Sequence, residues 1–132
     1  MPKIFDEFVV LKPDMQMDSL SFGPDFYESL EKNYSGFKSH CLVSAHEFSE
    51  NWNTWEIHPH GDEMVVLVAG SAELVLRRES GDESVKLLEP GSYLVVPKNT
   101  WHTAFIEKHA SLLFITPGEG TLNESEPQVV PD

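Results

Sequence analysis

The stretch Trp55-Glu56-Ile57-His58-Pro59-His60-Gly61-Asp62-Glu63 gathers imidazole and carboxylate groups at spacings that matter. In extended chain, residues 56, 58 and 60 share one face, and a tight Pro/Gly turn returns Glu63 to it on the following strand. Two nitrogen donors and two carboxylates then converge, which is the chemistry of a divalent-cation site. Further along, Gly91, Pro97, Lys98, Asn99, Thr100, Trp101 and His102 read as a turn feeding a strand that His102 opens, with Ala104 and Ile106 on the same face.

Other candidates carry less. His40 and His46 fall on the even-numbered face of a strand read over 38–48, as surface or hydrogen-bonded groups, with His46 the nearer of the two to a ligand pocket. His109 follows Lys108 in a turn and is expected to be exposed. Trp52 is a candidate ligand stacker, whereas Trp55 and Trp101 adjoin Glu56 and His102 and so face the opposite side of their strands, where packing or an interface is expected. The single cysteine, Cys41, has no adjacent base and reads as a small buried hydrophobe. No glycine-rich phosphate loop, nucleophile elbow or helical His pair is present in the sequence.

The elements that must position these groups are mostly strands. Runs rich in Val, Leu, Phe and Thr recur about every eight to twelve residues, the cadence of an all-β sandwich or barrel. Strands are expected near 8–11, 38–48, 54–60, 63–69, 71–78, 84–88, 92–96, 102–107 and 111–116. The polar segment 79–83 should form an exposed hairpin tip. One helix is expected over Pro24–Asn33, opened by Pro24 and Asp25 and closed by Gly36, with Phe26 and Leu30 as its apolar stripe. After Thr116 the chain turns acidic and proline-containing without an aromatic residue, the composition of a flexible tail. The division expected is an N-terminal arm and helix over 1–37, a barrel over 38–117 and the tail over 118–132.

The chain has 132 residues, one domain's length, enough to bury about two thirds of its unfolded surface. Nine Lys and Arg against 22 Asp and Glu give a net charge of −13, which repels nucleic-acid phosphates and anionic lipid surfaces. One cysteine excludes an intrachain disulfide, and no apolar run approaches a bilayer span, so a cytoplasmic protein is the expectation. Met64 to Val68 and Leu112 to Ile115 are apolar on both faces, so a second layer must cover them: the N-terminal segment or a partner copy in a homodimer.

The two motifs resemble those of the cupin superfamily. Its first motif runs as two ligand positions on alternate residues, a short gap, Glu, six residues and Gly; Glu56, His58, Glu63 and Gly70 fit it. Its second, Gly, five residues, Pro and a following His, is met by Gly91, Pro97 and His102, with Asn99 replacing a turn glycine and Ile106 standing where an asparagine often falls. The resemblance spans Trp55 to about Thr116 and implies an all-β antiparallel cupin barrel, or jelly roll, with one short N-terminal helix. It further implies one divalent transition metal held by Glu56, His58, Glu63 and His102, with His60 as the substitute for Glu56. Mn, Fe(II), Co, Ni and Zn all suit such a sulfur-free set. The function expected is that of a metal-dependent enzyme, dioxygenase- or isomerase-like, acting on a small organic molecule above Val65, Leu67, Ala104 and Ile106. The alternative is a non-catalytic small-molecule binding or sensing module.

Overall fold

The computed structural model describes residues 1–131 and is built mainly from antiparallel strands. Eleven strands occur among the described residues: β1 (Glu7–Leu11), β2 (Met17–Ser21), β3 (Cys41–Phe48), β4 (Trp55–Ile57), β5 (Glu63–Gly70), β6 (Ala72–Arg78), β7 (Gly81–Leu87), β8 (Tyr93–Val96), β9 (His102–Phe105), β10 (Ala110–Thr116) and β11 (Leu122–Glu124). One sheet runs β2-β1-β3-β10-β5-β8 and the other β11-β4-β9-β6-β7. The chain passes from sheet to sheet as it goes from β3 to β4, β5 and β6, and again from β8 to β9 and β10. That interleaving makes an antiparallel jelly roll.

Strand alternation fills the space between the sheets. Val65, Leu67, Leu112 and Phe114 from one sheet meet Leu74, Leu76 and Ala104 from the other, and all are buried. The intervening residues of β4 and β6, with Trp101 just before β9, make a second apolar cluster outside the five-stranded sheet, where Trp55, Ile57, Val75 and Trp101 pack with Val130. Trp55 and Trp101 therefore face away from the barrel interior, and Arg77 lies over the Trp55 ring at 4.0 Å.

The N-terminal segment extends the inner layer. Helix α1 (Phe26–Asn33) packs Phe26 and Leu30 on Phe8, Val10, Phe37 and Leu42. Leu42 shares its strand face with Ser44 and His46, so the helix caps the open end of the interior rather than the outside of the sheet. The outer face of β3, β10, β5 and β8 keeps two apolar rows in register, Val43-Ile115-Met64-Val95 and Ala45-Leu113-Val66-Tyr93.

Differences from the sequence reading have local causes. The helix starts at Phe26, two residues late, because Asp25 takes a left-handed backbone, φ 61°. β3 begins at Cys41 because Phe37 and Ser39 are also left-handed, φ 61° and 62°. The β6–β7 hairpin closes tightly, Arg78 opposite Gly81 (φ 117°), instead of through a five-residue loop. Residues 118–131, expected to lack structure, contain β11, whose Leu122 to Glu124 pair with Ile57 to Trp55, and Arg77 donates to the Pro127 carbonyl at 3.0 Å. Cys41 is half-buried rather than buried. No helix among the described residues is long and apolar enough to cross a membrane.

Candidate metal centre

Glu56 on β4 sits directly opposite His102 on β9, which puts a carboxylate and an imidazole side by side in one sheet. His58 follows β4 by one residue, and Glu63 opens β5 in the facing sheet. The two motif turns are clasped together: the Asn99 amide donates to the His58 carbonyl at 3.0 Å, and the Lys98 amide donates to Asp62 at 2.7 Å. Asn99 holds the left-handed conformation, φ 61°, that this turn requires. The four side chains offer ligand atoms that all lie within 4.8 Å of one another.

Hydrogen bonds around the cluster fix which nitrogen faces inward. His102 Nδ1 lies 3.1 Å from the Thr100 carbonyl, which can only accept, so that nitrogen carries the hydrogen. His58 Nδ1 lies 2.8 Å from Thr121 Oγ1, whose own hydrogen is directed to the Gly118 carbonyl at 3.0 Å. Both histidines thus donate outward through Nδ1 and, when neutral, turn an Nε2 lone pair inward, the arrangement of metal-ligating histidines. Thr116 donates to Glu63 Oε2 at 2.6 Å.

The inward lone pairs meet carboxylate oxygens. Nε2 of His102 is 3.0 Å from Glu63 Oε1; Nε2 of His58 is 3.2 Å from Glu63 Oε2 and 3.6 Å from Glu56 Oε1. His58 Nε2, His102 Nε2 and Glu63 Oε1 are buried without a hydrogen-bond partner. With both rings neutral, lone pair faces lone pair at this range, which is repulsive unless a metal cation or a second ring proton sits among them, and leaving such groups unmatched is costly. Ligands about 2.1 Å from one ion stand about 3.0 Å apart in an octahedron and about 3.4 Å in a tetrahedron, so the observed separations fit a transition metal. Burial pushes the Glu63 carboxyl up, but in metal-free protein the Nε2 hydrogens and charges that His102 and His58 bring when they are protonated outweigh it and hold it at about 2. Burial and then the Glu63 charge raise Glu56. Burial lowers His102, and Glu63 more than reverses this.

The cluster borders a cavity of about 910 Å3. Its walls are Phe48, Trp52 and Phe114 beside the interior, Tyr27 and Leu30 from α1, and Gly118, Gly120 and Thr121 from the C-terminal segment. Val65, Leu67, Ala104 and Ile106, expected to line it, are instead packed solid in the core. The cavity is lined instead by Leu42, Ser44, His46 and Phe48 of β3 and by α1.

A cupin-2 domain-containing protein from Shewanella frigidimarina shares this architecture with a TM-score of 0.50 at 18% identity, over 58% of this chain and 70% of its own. The chain has the cupin fold. Oxalate oxidase gives a TM-score of 0.53 at 16% identity, over 62% of this chain and 45% of its own. Hydroquinone 1,2-dioxygenase from Sphingomonas sp. TTNP3 gives 0.50 at 16% identity, over 58% of each chain. This chain thus spans less than two thirds of the oxidase and of the dioxygenase, and likeness at such identity carries the fold alone. No protein-family model and no curated protein matches the sequence.

Within the cupin barrel, Glu56, His58, Glu63 and His102 are brought together, while His60 is not. His60 is 55% exposed and lies 3.9 Å from Glu119, with Gly120 against its ring. His46 lines the cavity, whereas His40 packs on Tyr34 and Phe37 and His109 is exposed. Sequence reasoning missed Thr116 and Thr121 and the aromatic wall of Phe48 and Phe114. The alternation of Phe48 with His46, and of Phe114 with Thr116, marks these residues as inward-facing once the strands are paired.

Proposed function

We propose that Glu56, His58, Glu63 and His102 together hold one divalent transition metal ion, and that the chain is a metal-dependent cupin enzyme, dioxygenase- or isomerase-like, acting on a small organic molecule bound in the cavity. The observation that carries this reading is the pair of outward-donating histidines whose inward Nε2 atoms, with Glu63 Oε1, are buried and unpartnered. A metal bound there supplies Lewis-acid polarisation of a coordinated oxygen, or activation of dioxygen, at positions the protein does not fill. Glu56 and Glu63 offset its charge. Phe48, Trp52 and Phe114 exclude water from one side of the site. His46 contributes an imidazole on the cavity wall whose pKa burial lowers, so it is neutral at neutral pH and able to accept a proton.

The test is the metal content of protein purified without an affinity tag, measured by elemental mass spectrometry for wild type, His102→Ala and Glu63→Gln. Near-stoichiometric metal in wild type and its loss in both variants is expected. Negligible metal in wild type, even after reloading under reducing conditions, overturns the reading and leaves the non-catalytic binding module. The metal found directs the activity assays, iron toward dioxygen chemistry and zinc toward Lewis-acid chemistry.

The cupin also acts as a homodimer in this proposal. On the outer face of the six-stranded sheet Val68, Tyr93 and Val95 are 41%, 57% and 45% exposed, beside the in-register apolar rows. A second copy laid sheet against sheet covers them. Light scattering should report twice the chain mass, reduced to a monomer by Tyr93→Lys with Val95→Glu.

A further inference from the structure

The cavity beside the cluster has charge of one sign. Among the described residues that line it are Glu31, Glu50, Glu56 and Glu63, and none of its lining residues is Lys or Arg; Glu47 borders it as well, but its carboxylate lies on the outer face of β3, where it accepts from Ser111 at 3.3 Å. A doubly charged ion offsets Glu56 and Glu63 and leaves two carboxylates, Glu31 and Glu50, both on exposed residues. The cavity is more than an acidic surface, because His58 and Glu63, each over nine-tenths buried, line it with atoms that lack partners.

One side of the wall is aromatic. Phe48 and Trp52 stand 5.6 Å apart between ring centroids, Trp52 and Phe114 6.0 Å, and Phe48 and Phe114 6.3 Å. The Trp52 ring lies 6.3 Å from that of His102, so the wall runs down to the candidate metal. Trp52 Nε1 is buried with no hydrogen-bond partner, a donor without an acceptor. Tyr27 of α1 adds a further ring to the lining.

We propose that this cavity selects a small organic cation: an ammonium-bearing molecule with a ring-sized apolar body against Phe48, Trp52 and Phe114, and an oxygen directed at the four-residue cluster. Aromatic faces and carboxylates both attract a positive group, while an anion meets several glutamates with no basic side chain to receive it. The proposal rests on the metal reading only where the oxygen reaches the ion. Charge selection follows from the glutamates and holds in metal-free protein.

The experiment compares three probes that share one ring and differ in charge, benzylammonium, benzyl alcohol and benzoate. Each is titrated at millimolar concentration by amide NMR into metal-loaded protein and into protein stripped by a chelator. In stripped protein benzylammonium should bind about tenfold tighter than benzoate, with the alcohol between, the sum of modest attractions and repulsions in a partly hydrated site. The exposed double variant Glu31→Gln, Glu50→Gln should cut that ratio about threefold. Benzoate binding as well as benzylammonium in either form, a ratio untouched by the double variant, or no binding by any probe overturns the proposal. Failure to take up metal with the stripped-protein ratio intact overturns the metal reading and upholds charge selection.

Discussion

Thr121 accepts the Nδ1 hydrogen of His58 at 2.8 Å, across 63 residues of sequence, and passes its own hydroxyl hydrogen to Gly118. The C-terminal segment thereby sets the tautomer of a buried histidine in the barrel. Support of this kind raises the basicity of the ligating nitrogen and fixes the ring's direction. Thr121→Val keeps the shape and removes the acceptor. Metal affinity should fall about 10- to 100-fold, and Thr121→Ser should restore it. Chelator competition measures both; equal affinity in all three proteins refutes the relay.

Much of the site was legible because its order is local. Glu56 and His58 share a strand face by the two-residue period of extended chain, and Pro59 with Gly61 forces the return that brings in Glu63. His102 was legible through its turn, whose asparagine does take the left-handed backbone expected of it. Thr121 was not. It lies in an acidic, proline-containing stretch, and it is ordered by pairing with β4, a tertiary gain that composition does not register. The same holds for β2, whose alternation is faint because it is an edge strand packed on one side only, through Asp18 and Leu20. The cavity's position was misjudged because strand period tells which residues face inward. It does not tell where along the barrel the two sheets part.

Glu56 and His60 compete on paper for the fourth ligand position, and their surroundings differ. Glu56 Oε1 points to within 3.6 Å of His58 Nε2, whereas His60 leans toward Glu119 at 3.9 Å and is largely solvated. Glu56→Gln should weaken metal binding by about tenfold or more, since it removes an anionic ligand. His60→Ala should leave the affinity within about twofold. Isothermal titration with the native metal decides, and the reverse order assigns the ligand to His60.

Gly70 closes the first motif for a backbone reason. Its φ is +80°, and a Cβ built there would collide with the carbonyl oxygen of His109, where β10 begins. Gly70→Ala should therefore cost about 1–3 kcal/mol for the left-handed backbone, with more for displacing the 109–110 turn. Urea denaturation measures the loss. A midpoint unchanged from wild type would show that the turn shifts freely.

His46 provides a pH signature separate from the cluster. Its ring meets those of Phe8 and Phe22 edge-on at 5.1 and 5.6 Å, with Phe48 and Phe114 each at 6.2 Å, and burial among them lowers its pKa below the ordinary 6.5. Between the folded and unfolded values the unfolded chain holds the extra proton, so stability rises with pH there. The contribution is fully present above about 6.5 and is lost as pH falls toward and through the folded value. His46→Phe keeps the ring contacts and removes the proton site. On going from about pH 7.5 to about pH 5.5, metal-free wild type should lose more Tm than His46→Phe does, because only the wild type carries this group's linkage. Thermal melts across that range measure the two slopes, and equal slopes would place the His46 ring in water rather than among the aromatic rings of the cavity wall.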